Sequence, residues 1–501
     1  MTMFILNVLE QHATNTPDAL AVAFEENEWT YKDLYENAQK IAGYLQQEGY
    51  QKGDIVAQFM LNSDLFMAVY YGVQLAGLTI MPVNTKLAPP EVEYIFSHSE
   101  AKVLFLDERI EQTVADSSHS FKEKINVAKI REILKADKNE IYPIALNPDD
   151  TAVVMYTSGT TGKPKGVQLS NRNVYETAEI WSESMKMTNQ DRMYICTPLF
   201  HCAGSHVFAV PTMYQGGSII IEEAFSPERT LKKLVDTKAT IFFGVPAMYT
   251  ILLNKPELET TNFEHLRLFV YGASPMPYEL VKRLKDTFPK VKVQNCYGQT
   301  ENTPAASSLT DKDALTKIGS VGKPLARTDI KLVDALGEEV PLGEVGEICV
   351  KGPQVMKGYL RNPEETSRTI QDGWLYSGDL GRFDDEGFLY IVDRKKDMII
   401  RGGENIYPIE IEEVLYRIPQ VLEAAVVGIP HEVYGEVPKA FVVVKGEQSL
   451  TAEEVVTYCG TQLANYKIPM EIEFLEELPR NASGKVLKHT LKPKASETAQ
   501  G

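Results

Sequence analysis

Strand-like runs of β-branched residues recur through the first half of the chain and are separated by helix-like stretches. They are VLFLD (103–107), TAVVMYT (151–157), GSIIIEE (217–223), TIFFGV (240–245) and LRLFVYG (266–272). Strands that alternate with helices are typical of α/β sheets. The sequence therefore predicts an α/β fold with a large N-terminal domain of doubly layered α/β sheets.

The pattern changes after about residue 320. Short strand pairs with tight acidic or glycine turns, such as IKLVDALGEEV, GEICVKG and GFLYIVD, predict a small β-rich subdomain over residues 320–392. Beyond it, Pro408 opens an amphipathic helix, and a strand follows. We expect an N-terminal domain over 1–392, a hinge at 393–396 and a mobile C-terminal α+β domain over 397–501.

Charge and composition exclude several classes of protein. The net charge of −18 disfavours nucleic acid as a partner. The N-terminus lacks the basic flank of a secretory signal, and five cysteines, an odd number, do not suggest a disulfide framework, so we expect a cytoplasmic protein. The charge-free run 65–83 predicts a buried helix-to-strand unit rather than a transmembrane segment. Transient membrane contact and the oligomeric state, including a homodimer, stay open.

The segment YTSGTTGKPKG (156–166) predicts an anion-binding loop directly after a buried strand. Glycines let backbone N–H groups approach phosphate oxygens, hydroxyls donate further hydrogen bonds, and lysines supply charge. The loop is not a Walker loop, because Pro164 follows its first lysine. The candidate ATP-binding residues are Thr157, Ser158, Gly159, Thr160, Thr161, Gly162, Lys163 and Lys165.

Five further motifs follow in order along the chain: YGQTE (297–301), YSGD (376–379), DRKK (393–396), GGENIYP (402–408) and PRNASGK (479–485). Taken alone, several of these also fit plain turns. With the phosphate loop, however, the chain resembles the acyl-adenylate-forming enzymes from end to end. That family includes acyl-CoA synthetases, aryl-CoA ligases, nonribosomal-peptide adenylation domains and firefly luciferase.

The resemblance implies roles around MgATP. Glu301 would bind Mg²⁺, which suits a carboxylate shared with substrate phosphates, and Thr157 would assist it. Thr300 would contact phosphate, and Lys485 would gather negative charge as pyrophosphate leaves. The remaining nucleotide contacts would come from Tyr297 and Gly298, from Gly272, Ala273 and Ser274, and from Asp379 on the ribose with Arg394 beside it.

The resemblance also implies how the second substrate and the domain motion are handled. Gly402 and Gly403 would line the tunnel for the thiol of coenzyme A, and Lys396 would be the hinge. The family often has Arg or Gln where Asn405 stands, so the resemblance does not imply a direct phosphate contact at this position.

The resemblance further implies an acid pocket around His201, Val245, Tyr271 and Gly272. These surroundings offer no carboxylate for an ammonium group, which favours a fatty or aryl acid over an amino acid. A zinc site at Cys196, His201, Cys202 and His206 is disfavoured, because the spacing matches no common ligand set.

The resemblance thus implies a ligase with two half-reactions: a carboxylate and MgATP form acyl-AMP and pyrophosphate, and coenzyme A then takes the acyl group. A medium- or long-chain fatty acid is the first expectation. The alternatives are an aryl acid such as o-succinylbenzoate, loading of a carrier protein, and luciferase-like oxygenation of the adenylate.

Overall fold

The computed structural model describes residues 4–137, 141–157, 163–260, 262–274, 276–395, 397–402, 404–446, 448–480 and 486–492. The chain forms two compact units. The first contains Met1–Ile330 and Val350–Tyr376, and the second contains Lys331–Cys349 and Ser377–Gly501. The predicted hinge at 393–396 stays a prediction.

The first unit is built from alternating helices and strands. In chain order they are α1 Ile5–Asn15, β1 Leu20–Phe24, β2 Asn27–Thr30, α2 Tyr31–Gln47, β3 Ile55–Phe59, α3 Asp64–Leu75, β4 Thr79–Pro82, α4 Pro89–Ser99, β5 Val103–Leu106, β6 Glu123–Asn126, α5 Val127–Lys135, β7 Thr151–Thr157, β8 Lys165–Ser170, α6 Asn171–Ser184, β9 Arg192–Ile195, α7 Val210–Tyr214, β10 Ser218–Ile221, α8 Pro227–Asp236, β11 Ile241–Phe243, α9 Pro246–Leu253, β12 Leu268–Gly272, α10 Tyr278–Thr287, β13 Lys292–Tyr297, β14 Ser307–Leu309 and β15 Ser320–Pro324.

The rest of the chain is richer in strands. Its elements are β16 Asp329–Val333, β17 Gly346–Lys351, β18 Gly358–Tyr359, α11 Pro363–Thr369, β19 Ile370–Gln371, β20 Trp374–Phe383, β21 Leu389–Arg394, β22 Ile399–Arg401, β23 Glu404–Ile406, α12 Pro408–Leu415, β24 Val421–His431, β25 Gly435–Val444, α13 Ala452–Gln462, β26 Glu471–Phe474 and α14 Lys488–Leu491. The chain passes between the two units within β16, β17 and β20.

Two sheets organise the first unit. One has the strand order β15-β14-β13-β12-β11-β9-β10-β1-β2, in which the strands from β13 to β1 run parallel. The other has the order β18-β8-β7-β4-β3-β5-β6, and its β7 and β8 form an antiparallel hairpin. The predicted strands within 103–272 lie in these sheets, and the predicted α/β class is confirmed.

The charge-free run 65–83 forms most of α3 and all of β4, as predicted. Its helix is buried from Asp64 to Gln74 and packs closely on α2. A Cβ at Gly72 would lie 2.7 Å from Cβ of Ile41, so only glycine allows this approach. Among the described residues, no helix is long and apolar enough to cross a membrane.

In the second unit, β16, β17, β20 and β21 are neighbours in that order, and a further sheet has the order β23-β22-β25-β24 with β26 beside β25. Helix α12 begins at Pro408, as predicted, and places Ile411 and Leu415 in a core with Ile399 and Cys459. All five cysteines are free thiols.

Candidate active site

The carboxyl ends of four neighbouring parallel strands meet at one edge of the first sheet. These strands are β9, β11, β12 and β13, and the register aligns Gly272 with Cys296. The segments that leave this edge carry His201, Val245, Tyr271 to Ser274, and Tyr297 to Glu301. In open α/β sheets, ligands bind outside the carboxyl ends of the strands. The sheet therefore gathers, in one place, candidate residues that are up to 100 positions apart.

Segment 297–301 is a rigid turn at the end of β13. Gln299 and Asn302 form reciprocal capping hydrogen bonds around the 3-10 helix Thr300–Asn302. Gly298 approaches another backbone segment so closely that a Cβ would lie 2.3 Å from the Pro304 carbonyl oxygen. This crowding fixes the backbone between Tyr297 and Glu301.

The Glu301 side chain accepts a hydrogen bond from the Tyr359 hydroxyl at 3.0 Å on Oε1. No group of three or more His, Cys, Asp or Glu side chains suited to a metal ion exists among the described residues. A single carboxylate fits Mg²⁺, which is usually bound by one or two carboxylates together with substrate phosphates. Glu301 is thus a suitable ligand for a metal that arrives with ATP.

The turn after β12 is equally constrained. A Cβ at Gly272 would lie 2.6 Å from the Cys296 carbonyl oxygen, and Ala273 has a left-handed φ of 66°. Such a conformation costs a residue with a side chain on the order of 1 kcal/mol or more, and it clusters at functional sites. Ser274 is exposed beside it.

The predicted phosphate loop connects the two strands of the β7–β8 hairpin, in which Tyr156 pairs with Gly166 and Thr157 pairs with Lys165. The Tyr156 hydroxyl lies 2.7 Å from Nδ1 of His98. Ser158, Gly159, Thr160, Thr161 and Gly162, all predicted to bind ATP, lie outside the described residues.

Both lysines of the loop lie over tyrosine rings. Lys163 Nζ is 5.6 Å from the centroid of Tyr94, and Lys165 Nζ is 4.8 Å from that of Tyr359. Lys165 also forms an ion pair with Glu365. Cation–π attraction contributes about 0.5–1 kcal/mol at exposed sites and more when water is excluded.

The segment after β9 contains a feature that the sequence did not reveal, a π-helix over Ala203–Ala209. Such turns are rare and frequently mark functional sites. Gly204 allows the close turn, because a Cβ there would lie 2.3 Å from the Pro198 carbonyl oxygen.

His206, in this π-helix, is buried between two hydroxyl groups. Its Nε2 lies 2.9 Å from the Tyr70 hydroxyl, and its Nδ1 lies 2.9 Å from Ser205 Oγ. Burial lowers its pKa to about 3, so the ring is neutral. Ser205 in turn donates to the His201 carbonyl oxygen at 3.1 Å, which connects the buried His206 to the backbone of His201, one of the expected acid-pocket residues.

The expected walls of the acid pocket are apolar. Val245 is partly buried and precedes α9, whereas Tyr271 is buried in β12. Nearby, the rings of Phe208 and Phe243 are 4.5 Å apart. Neither α9, β11, β12 nor the π-helix contains Asp or Glu.

In the second unit, Asp379 and Arg394 are partners across the β20–β21 hairpin, with 3.4 Å between Oδ1 and Nε. Glu347 supports this hairpin by accepting hydrogen bonds from the Gly378 N–H at 3.1 Å and from Lys395 Nζ at 2.8 Å.

Gly402, one of the two glycines expected along the thiol path, has a left-handed φ of 59° and donates its N–H to the Tyr434 carbonyl at 2.8 Å. Lys396, Gly403 and Lys485 lie outside the described residues.

Comparison with known proteins gives the family. Residues 9–360 match the AMP-binding enzyme model, and residues 410–485 match the AMP-binding enzyme C-terminal domain. The first match alone spans more than half of the chain. The chain belongs to the AMP-binding enzyme family.

Its relatives are CoA ligases with different acids. The chain is 36% identical over 479 residues to a feruloyl-CoA synthase from Amycolatopsis sp, covering 95% of this chain and 96% of the relative. It is 37% identical over 492 residues to a 2-succinylbenzoate–CoA ligase from Bacillus cereus, covering 98% and 99%. It is 35% identical over 499 residues to a long-chain-fatty-acid–CoA ligase from Mycobacterium tuberculosis, covering 98% of each.

Solved structures that match this fold are also CoA synthetases. An o-succinylbenzoate CoA synthetase from Bacillus subtilis in complex with ATP and magnesium ion matches with a TM-score of 0.88 at 34% identity, over 97% of this chain and 99% of that one. A Mycobacterium tuberculosis fatty acyl CoA synthetase matches with a TM-score of 0.81 at 33% identity, over 97% of each. This enzyme belongs to the class of ATP-dependent, AMP-forming acyl-CoA synthetases.

Proposed function

We propose that this enzyme joins an apolar carboxylic acid to coenzyme A in two half-reactions. The acid attacks the α-phosphate of ATP to give acyl-AMP and pyrophosphate, and the thiol of coenzyme A then displaces AMP to give the thioester. The proposal rests chiefly on the carboxyl edge of the first sheet. There, Tyr271 lies at the end of β12, and Glu301 follows the end of the neighbouring strand β13. A cytoplasmic location, where ATP and coenzyme A are available, belongs to this proposal.

In the first half-reaction, Glu301 would hold Mg²⁺, with Thr157 as the second candidate ligand. The metal supplies charge neutralisation on the phosphates when bound. Thr300, Lys163 and Lys165 are the candidate phosphate contacts, and Lys485 completes the adenylation site by the family resemblance. Asp379 accepts hydrogen bonds from the ribose hydroxyls.

For the second half-reaction, Gly402 and Gly403 are the candidate lining of the thiol path, because glycines leave room for a narrow pantetheine arm. Lys396 is the candidate hinge residue. Rotation of the C-terminal domain about it would withdraw Lys485 and admit the thiol, a gated step of a kind common in enzymes.

The acid is apolar and carries no amino group. The segments expected around it contain no Asp or Glu in β11, α9 or β12, so an ammonium group would be buried without a counter-charge. A medium- or long-chain fatty acid is the first candidate. An aryl acid such as o-succinylbenzoate or ferulate is the second, since ligases of both acids are 36–37% identical to this chain.

A pyrophosphate-release screen tests the proposal. Purified enzyme is supplied with MgATP, coenzyme A and fatty acids of graded length, aryl acids or amino acids, and the thioester is identified by mass spectrometry. We expect release with fatty or aryl acids and none above background with amino acids. Robust turnover of an amino acid, or transfer only to a phosphopantetheinyl carrier protein, would contradict the assignment.

A further inference from the structure

Tyr359 holds the carboxylate of Glu301 although 58 residues separate them. The tyrosine is 6% exposed. An ionised carboxylate only accepts hydrogen bonds, so the Tyr359 hydroxyl is the donor to Glu301.

The backbone around Tyr359 ties two motifs together. The Met356 N–H donates to the Glu301 carbonyl at 2.9 Å, and the Leu360 N–H donates to the Gly166 carbonyl at 2.7 Å. Between them, β18 pairs with β8, the strand that follows the phosphate loop. Residues 356–360 thus connect the Glu301 turn to the base of the phosphate loop.

Side chains strengthen the connection. Lys165 lies over the Tyr359 ring and forms an ion pair with Glu365, and the two side chains are only 12% and 22% exposed. The Thr366 hydroxyl accepts from the Tyr359 N–H at 2.8 Å. Lys165 therefore covers one face of the Tyr359 ring and is itself held in place by Glu365.

We propose that Tyr359 is a positioning residue that orients the Glu301 carboxylate for Mg²⁺ and couples it to the phosphate loop. An ionised carboxylate offers about four acceptor sites, so a hydrogen bond from Tyr359 on Oε1 leaves capacity for a cation. Hydrogen bonds to a ligating carboxylate fix its orientation and tune metal affinity. The inference rests on the proposed function, because it assigns Mg²⁺ to Glu301.

Tyr359→Phe tests the role, since it removes only the hydroxyl. We expect the Mg²⁺ concentration for half-maximal pyrophosphate release to rise about 10-fold or more, the usual cost of losing such a partner. Conversion of supplied acyl-AMP to thioester, which involves no pyrophosphate, should be unchanged. Electron paramagnetic resonance of Mn²⁺ in the presence of α,β-methylene-ATP measures metal affinity directly. The variant should bind Mn²⁺ at least about 10-fold more weakly than the wild type.

Tyr31→Phe is the matched control, because its buried hydroxyl donates to the Gly217 carbonyl at 2.6 Å, away from the candidate active-site motifs. It should leave the Mg²⁺ and Mn²⁺ dependence at wild-type values. Wild-type Mn²⁺ affinity in folded Tyr359→Phe would overturn the positioning role. Wild-type enzyme that neither binds Mn²⁺ with the nucleotide nor releases pyrophosphate would instead refute the proposed function.

Discussion

Asp379 and Arg394 stand opposite each other in a two-stranded hairpin, and the carboxylate is buried while the guanidinium is more exposed. If Asp379 binds the ribose, Asp379→Asn should lower kcat/KM for ATP about 10- to 100-fold, because a hydrogen bond to a charged group is worth roughly 1.5–3 kcal/mol. Initial rates at varied ATP measure this. Asp385→Asn, at an exposed position of the same hairpin, should behave as wild type.

Gly298→Ala should destabilise the first unit and impair adenylation. The new Cβ would collide with the Pro304 backbone at 2.3 Å, and overpacking of this kind costs about 1–3 kcal/mol. Displacement of Glu301 should lower the rate of pyrophosphate release about 10-fold or more. Gly460→Ala, in α13 with the nearest atom 3.7 Å away, should be neutral or stabilising by urea denaturation. Equal stability losses in both variants would contradict the steric argument.

The neutral His206 should make stability depend on acid pH. Its pKa is about 3 in the folded protein and about 6.5 in an unfolded chain, so between these values the unfolded state binds the extra proton. The free energy of unfolding should fall as pH drops from 6.5, by at most about 1.4 kcal/mol per pH unit from this group. Urea denaturation of His206→Gln should show a smaller fall, whereas exposed His265→Gln should keep the wild-type slope.

The buried Asp393 should make the stability of the second unit depend on pH in the direction opposite to His206. Burial raises its pKa to about 6, against the partial compensation of nearby Lys488, whereas the unfolded value is about 3.9. The folded state therefore holds the proton more tightly, and the unit should lose stability as pH rises from about 4 to 6. Asp393→Asn should remove this dependence. Hydrogen exchange of the β21 amides, followed at varied pH, would measure this dependence of stability on pH. An Asp393→Asn variant with the wild-type dependence would argue against the role of the buried acid.

Lys485→Ala should separate the two half-reactions. The role of this lysine comes from the family resemblance, and loss of one well-placed donor to developing charge costs about 10²-fold or more. Pyrophosphate release should fall by that amount, while supplied acyl-AMP should still be converted to thioester. Equal loss of both reactions would refute the assignment. Gly403→Leu should show the reverse pattern, with adenylation retained and thioester formation blocked.

Local patterns predicted the individual elements well. The run TAVVMYT matches β7 from Thr151 to Thr157, and Pro408 begins α12 because a proline suits the first turn of a helix. The run 65–83 divides into α3 and β4 near Gly77, where glycine supplies a left-handed φ of 78°. Each of these signals lies within a few residues of the structure that it specifies.

Long-range partners could not be predicted in the same way. Lys165 pairs with Glu365 across 200 residues, and nothing near either position in the sequence indicates the other. Similarly, the sequence marked His206 only as a disfavoured zinc ligand, because its burial depends on Tyr70, 136 residues away. The π-helix also escaped prediction, since its apolar residues fit an ordinary buried helix. Such features depend on the packing of distant elements.

The shared edge formed by β9, β11, β12 and β13 has a consequence for how this enzyme can diverge. Each strand leads into its own connecting segment at this edge, whereas the hydrogen-bonded strands behind it are shared. If the acid binds there as we propose, a new acid preference could arise from changes in one segment, such as that around His201 or Val245, without a new fold. Libraries confined to these segments are a practical route to ligases that accept other acids.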